Sequence, residues 1–350
     1  MTNKMFQQPI RFEPLFRPYI WGGRNLEIRL HKQIPRKGVW AESWEIVDHG
    51  ADQSIVEKDL GDGSAEDLPG DSLAGQTLRQ LIEAAPESVL GVGALSQSQF
   101  PLLLKYLDCQ RVLSIQVHPN DAYGAKMVPP DLGKTEAWYV VDASEDALIY
   151  AGLKAGVGRT ELVQAIADGQ IESCLHAFHP SRGDCVFIPA GTVHALGAGL
   201  IVAEIQQASD TTFRLYDWNR VGSDGAPRPL HIDQALDVID FDRGPISQVV
   251  PKPTKDSGRT NLVTCDRFVL DEVRENLHSF PLNGRFAIAT VVEGSATIGA
   301  STSTGSQESR ANRLTLGQSV LLPAAMESID IAMDADSILL IATPPIRTVQ

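Results

Sequence analysis

Cysteine is scarce in this chain of 350 residues. There are four, Cys109, Cys174, Cys185 and Cys265, widely spaced and without a CxxC pair. That excludes a disulfide framework and a paired-thiolate zinc knuckle, and it leaves free, mostly buried thiols in a reducing compartment. Long apolar runs are missing too; none approaches the ~20 residues of a membrane span. Residues 1–16 carry scattered charges and no apolar core segment, so no secretory signal is expected and the cytoplasm is the expected location. Positive charge is in deficit, with 30 Lys and Arg against 44 Asp and Glu, a net charge of −14. Such a balance argues against nucleic acid or an anionic membrane as partner, yet permits an anionic small molecule in a local basic pocket. What is present is ordinary for a globular protein: 43% hydrophobic and 21% charged residues, in a length that supports two domains.

The stretch Leu113-Ser114-Ile115-Gln116-Val117-His118-Pro119-Asn120 alternates apolar and polar residues, as a half-buried strand does. Side chains two apart share a face, so Ser114, Gln116 and His118 point together. Either this is the polar outer face of an edge strand, or a serine, an amide and an imidazole converge on a cavity. Lys105 interrupts the apolar run Leu102–Asp108; it is a lysine with a buried stem and wet tip, or an anion contact. In Gly133-Lys134-Thr135-Glu136-Ala137-Trp138, Lys134, Glu136 and Trp138 share a face, and a carboxylate beside Trp138 and Val140 needs a partner or a metal. Arg214, between Phe213 and Leu215, is a salt-bridge arginine or an anion clamp. His176 and His179 read as loop histidines rather than ligands.

Around these lie recognisable elements. Gly22-Gly23 after Trp21 predicts a turn with close backbone approach, and Ser43–Val47 a short strand, with Trp21 and Trp44 as core or wall residues. Residues 51–74 form an acidic, Gly- and Ser-rich surface loop. Helices are expected over 77–85, over 159–170 with Thr160 as N-cap, and over 231–239. Asp184–Ile188 is a strand that meets the Pro189-Ala190-Gly191 turn and returns with His194 opening the next strand. Two strands joined at Ser209-Asp210 follow. Pro245, Pro251 and Pro253 mark a boundary, and further strands are expected at 268–273, 286–293, 296–299, 313–322 and 337–343.

The C-terminal region repeats the central one. Gly317 precedes Pro323 at the spacing of Gly183 and Pro189, and Val291-Val292-Glu293-Gly294 echoes Val140-Val141-Asp142-Ala143. Where the first copy has Gly191, His194 and Glu136, the second has Ala325, Ser328 and Ala287. Two related β-barrels follow, one furnished with a site and one structural. The expected fold class is mainly β, two barrels with a few short helices. Residues 1–245 form the metal-binding domain, with N-terminal strands and helical insertions, and residues 246–350 a barrel without ligands.

Gln116, His118, Glu136 and His194 come from three separate strands and make a workable set for zinc or another divalent ion. The Gly-x5-Pro-x-Gly-x2-His run from Gly183 to His194 resembles the second cupin motif. The usual first-motif His-x-His is here Gln116-x-His118, with the glutamate displaced to Glu136. That departure, together with Gly133-Lys134-Thr135-Glu136, Trp21-Gly22-Gly23, Glu42-Ser43-Trp44-Glu45 and Gln207-Ala208-Ser209-Asp210 through Arg214 to Asp217, resembles the short bacterial form of type I mannose-6-phosphate isomerases, from about Trp21 to Asp217 and more weakly beyond. The resemblance implies that the two barrels are cupin-like jelly rolls, and it implies interconversion of mannose 6-phosphate and fructose 6-phosphate through a cis-enediol, with one zinc per chain. It places the zinc ligands at Gln116, His118, Glu136 and His194, a catalytic arginine at Arg214, phosphate contacts at Lys105, Ser114 and Lys134 and, by looser spacing, an acid at Glu204. It leaves the base open among Glu204, Asp217 and a metal-bound water. The partner is then a small sugar phosphate, with neither nucleic acid nor membrane involved, and the chain a monomer or weak homodimer. The alternatives are a cupin-type glucose-6-phosphate isomerase, a sugar-phosphate-binding cupin without turnover, and an iron dioxygenase, which would leave the lysines idle.

Overall fold

The computed structural model describes residues 3–58, 73–92, 99–222, 225–301 and 313–346. Most of the acidic 51–74 stretch lies outside the described residues. The chain is mainly β and divides into two compact units, one of Phe16–Ser43 with Lys105–Val249, the other of Met1–Leu15, Trp44–Leu104 and Val250–Gln350. No described helix is long and apolar enough to cross a membrane.

The unit holding Lys105–Val249 is built on two sheets. One runs, in spatial order, Leu175–Phe178, Ile149–Leu153, His194–Leu196, Ile115–Val117, Phe213–Tyr216. The other runs Cys185–Ile188, Glu136–Ala143, Leu200–Gln207 and then residues 105–109 of the next strand. Strand parity decides what faces what. Trp138, Val140, Ile149, Ala151, Val186, Ile188, Leu196, Val202 and Leu107 pack together between the sheets. Ile115, Val117, Ala195, Phe213 and Leu215 point the other way, onto a second apolar cluster that includes Leu162 and Ala165 of the helix Arg159–Ala167 and Ala235 and Leu236 of the helix Ile232–Val238. The five-stranded sheet is therefore covered on both faces. Its polar positions, Ser114, Gln116 and His118, belong to the interior, and the apolar ones face the helices.

Local signals place these elements. The helix Leu78–Ala84 opens on a capping box between Thr77 and Gln80, as the sequence predicts. The helix Arg159–Ala167 begins at the expected residue but is capped two positions earlier than expected: Gly158, not Thr160, holds the N-cap position, and its N–H donates to Glu161. The Gly22 turn is as predicted, because a Cβ there would lie 2.5 Å from Ala41 Cα. The expected strand over 313–322 is two strands, Arg313–Thr315 and Ser319–Leu322, broken at Gly317. All four cysteines are free, three of them buried.

The second unit carries a six-stranded and a four-stranded sheet around its own apolar core. The repeat holds at the level of register. Glu136 pairs with Ile188, and Ala287 pairs with Leu322. Gly183 and Gly317 both take positive φ (90° and 82°) and donate their N–H to Val140 and Val291 respectively. Glu204 sits opposite Trp138, as Ile341 sits opposite Ala289. The inner carboxylates of the first unit thus correspond to Ala287 and Ile341, both within the apolar cluster of the second.

Candidate functional site

His194 opens its strand directly opposite Gln116, and Arg214 pairs with Gln116 from the other side. Glu136 and Glu204 lie on neighbouring strands of the facing sheet and share the parity of inward Trp138. The turn that delivers His194 is tied to the His118 strand: the Gly191 N–H donates to the His118 carbonyl at 2.9 Å. Gly191 has φ 86°, and a Cβ there would meet the Val238 carbonyl oxygen at 3.0 Å, so glycine is required.

His118, Glu136 and His194 are each buried to within about 1% exposure, with their donor atoms all within 4.8 Å of one another. His118 Nδ1 bonds the Thr211 carbonyl at 2.8 Å, and His194 Nδ1 bonds the Thr192 carbonyl at 2.9 Å. A carbonyl only accepts, so both rings carry their proton on Nδ1 and present a bare Nε2 lone pair to the interior. Burial and the Lys134 charge hold His118 well below the usual imidazole range; the same causes bring His194 to about 4. The Nε2 atoms stand 3.6 and 3.4 Å from Glu136 oxygens. Two neutral imidazoles oriented through their outer nitrogens, plus a carboxylate, are the donor chemistry of a zinc-type site. The Lys134 ammonium already lies against two of these donors, 3.1 Å from His118 Nε2 and in direct contact with Glu136 Oε2, so the position accepts positive charge. Gln116 offers its amide 3.3 Å from His194 Nε2 and accepts from Ser114 Oγ at 3.1 Å. Turning the amide about its last torsion brings the oxygen to the donor set.

Behind the donors is a buried charge network. Glu204 Oε1 is 3.3 Å from both Lys105 and Lys134, and Glu204 Oε2 accepts from the Trp138 indole at 3.1 Å. Lys105 also pairs with Glu42 at 3.4 Å. Burial pushes Glu204 up, but the two lysines outweigh it and bring the carboxyl to about 2. Burial and the Glu204 charge push Glu136 up, against Lys134. Burial lowers Lys105, and Glu204 and Glu42 more than reverse it. Neither sequence-level account of Lys105 fits fully: its ammonium is buried and paired, not wet.

A cavity of about 270 Å³ joins these groups to Arg214. It brings together Lys105, Ser114, Gln116, Lys134, Glu136, His194, Glu204 and Arg214, and His118 reaches it through Lys134 and Glu136. His176 and His179 stay out of it; His179 bonds the Ala147 carbonyl. Trp21, read from the sequence as a core or wall residue, lines the cavity, and sequence reasoning missed Tyr19, Asp210 and Arg228 in the wall. Tyr19 and Trp21 stack at 5.9 Å, and the Trp-Gly-Gly turn was the signal for them. Asp210 was read as a strand connector and as part of the Gln207-to-Asp217 resemblance, with no role of its own. Arg228 sits in a polar segment without periodicity, and nothing local in the sequence marks it. Asp217, one of the candidate bases, is clamped by Arg220 and Arg228; burial pushes its carboxyl up, and their hydrogen bonds bring it below the usual range.

Residues 10–148 match the family described as phosphomannose isomerase type I, catalytic domain. The chain is 34% identical over 292 residues to the mannose-6-phosphate isomerase ManA of Bacillus subtilis (strain 168), covering 83% of this chain and 87% of that one. It is 37% identical over 232 residues to the mannose-6-phosphate isomerase of Streptococcus mutans, covering 66% and 68%. The crystal structure of the Bacillus subtilis mannose 6-phosphate isomerase superposes with a TM-score of 0.81 at 31% identity, over 96% of this chain and 99% of that one.

Proposed function

The chain belongs to the type I phosphomannose isomerase family, and from that membership we propose that it interconverts mannose 6-phosphate and fructose 6-phosphate in the cavity of His118, Glu136 and His194, with one zinc ion resident per chain. The observation that carries the reading is the pairing, across one cavity, of an oriented His–Glu–His donor set with Arg214. The free, mostly buried thiols suit a reducing cytoplasm as the place of action.

Aldose–ketose isomerisation moves a proton between C1 and C2 through an enediol, and it needs a base and positive charge for the developing oxyanion. His118, Glu136, His194 and the Gln116 oxygen would hold the zinc, which when bound would supply Lewis-acid charge for the developing oxyanion. Arg214, cross-strand neighbour of Gln116, adds a fixed positive charge on the same wall. Asp210 is the proton carrier: of the carboxylates in the wall, Glu42, Glu136 and Glu204 are buried beside lysines, while Asp210 is exposed and has no ion pair among the described residues. Glu204 is too strongly held as an anion to trade protons near neutral pH, so its part is to anchor Lys105 and Lys134. Tyr19 and Trp21 give the sugar an apolar wall and limit water.

A coupled assay for fructose 6-phosphate formed from mannose 6-phosphate tests this, with glucose 6-phosphate as competing substrate. Turnover on the mannose ester, abolished by a chelator and restored by zinc, is expected. A zinc-loaded protein without that turnover, or one that prefers glucose 6-phosphate, refutes the reading.

A further inference from the structure

Resting on the isomerase reading, we propose that the substrate phosphate is gripped by Arg228 with Arg214 beside it, and not by the lysines. Lys105 lies between Glu42 and Glu204, and Lys134 between Glu136 and Glu204, all of them buried, so an incoming anion would have to compete with carboxylates already in place. The arginine side of the cavity is arranged differently. Asp217 takes one edge of the Arg228 fork, with Nε donating at 2.7 Å and Nη2 at 2.5 Å, and also accepts from Arg220 Nη2 at 2.5 Å. That holds the Arg228 plane fixed and leaves its Nη1 without a hydrogen-bond partner among the described residues.

The segment after Arg228 runs along Arg214. Arg214 Nη1 donates to the Pro229 carbonyl at 3.0 Å, its backbone N–H bonds His231 Nδ1 at 3.2 Å, and its carbonyl accepts from the His231 N–H at 2.8 Å. Arg214 Nε is buried with no partner, a donor that a bound anion would satisfy. Arg214, Arg220 and Arg228 thus crowd around a single carboxylate, an excess of two positive charges. Burial and the neighbouring Arg228 charge lower Arg214 accordingly. Two positive charges match a phosphate dianion, and planar guanidinium forks match its oxygens in pairs. The other side has the opposite imbalance: Lys105 and Lys134 face Glu42, Glu136, Glu204 and Asp210, an excess of two negative charges that suits a divalent cation.

The test compares wild type, Arg228→Met and Arg228→Lys on mannose 6-phosphate and on unphosphorylated mannose. The ratio of kcat/KM for the ester to that for mannose falls on the order of 10- to 100-fold in Arg228→Met and less in Arg228→Lys, as expected for loss of charge-assisted hydrogen bonds. The loss in kcat/KM on the ester exceeds any loss on mannose. Calorimetry with inorganic phosphate provides an arm independent of turnover: wild type binds it, and Arg228→Met binds it at least tenfold more weakly. Equal losses on both substrates, or equal phosphate binding in variant and wild type, would overturn the assignment. Absence of turnover in wild type would instead sink the isomerase reading, while the phosphate titration would still decide the anion site.

Discussion

Replacing Glu204 by glutamine tests the buried charge network with little change of shape. The side chain is 3% exposed, its Oε1 serves two lysines at 3.3 Å, and its Oε2 takes the Trp138 indole N–H. A carboxyl brought from its ordinary 4.5 to about 2 by the fold contributes about 3 kcal/mol at neutral pH. Breaking one partner of a buried ion pair gives a similar figure, about 3–5 kcal/mol. For a unit of this size, about 3 kcal/mol lowers the midpoint of thermal unfolding by roughly 6–12 °C. The sign with pH follows from the depressed value. The contribution is full above about 4.5 and is lost as pH falls toward about 2. The glutamine variant has no such term to lose, so the gap between the two proteins narrows as pH is lowered from 7 to 3. The measurement is calorimetric unfolding of both proteins in chelator, so that bound cation does not compensate. A gap under 2 °C at pH 7, or one that stays constant down to pH 3, would refute the reasoning.

His194→Ala should abolish retention of a divalent cation through dialysis, whereas Ser328→Ala, at the matching position of the second unit, should leave metal content unchanged; equal losses would end the idea of one furnished and one unfurnished copy. Asp131→Ala removes the acceptor of Ser209 Oγ and Thr211 Oγ1 and so loosens the carbonyl that orients His118. Zinc affinity by competition titration should drop about tenfold, and an unchanged affinity would show that Thr211 needs no such support. Asp210→Asn should reduce kcat by about 10²–10⁴-fold with zinc content intact; activity within threefold of wild type would remove Asp210 as the proton carrier.

Much of this was written in local patterns. Alternation over Leu113–His118 placed Ser114, Gln116 and His118 on one face, and the positive φ of Gly183 and Gly191 confirms the turn read from Gly-x5-Pro-x-Gly. Alternation could not say which face was inside, because the usual rule sends the polar side to water. Here two helices cover the apolar side, and the polar side is interior. Lys105 was ambiguous for a related reason. A strand pattern shows that a lysine points inward but not that Glu42, 63 positions away, and Glu204 meet it there. Arg228 and Asp210 lie in connections, where no period carries information, and only the fold brings them to the cavity.

The repeat explains why such a costly interior persists in one copy only. Buried ion clusters contribute little net stability against apolar packing of the same volume. The second unit takes the apolar solution: Ala287 and Ile341 stand at the register positions of Glu136 and Glu204, inside a continuous cluster with Leu322, Ile329 and Met326. The same strand skeleton therefore closes without any carboxylate at those positions. Stability alone does not account for Glu136 and Glu204 with their two lysines in the first unit. What those groups supply, and alanine and isoleucine cannot, is a fixed field: a negative balance beside two bare imidazole nitrogens and a positive one at the arginines. A cation at one side and a dianion at the other would neutralise both, so the charge pattern of the cavity has the polarity of the metal-bound sugar phosphate proposed as its occupant.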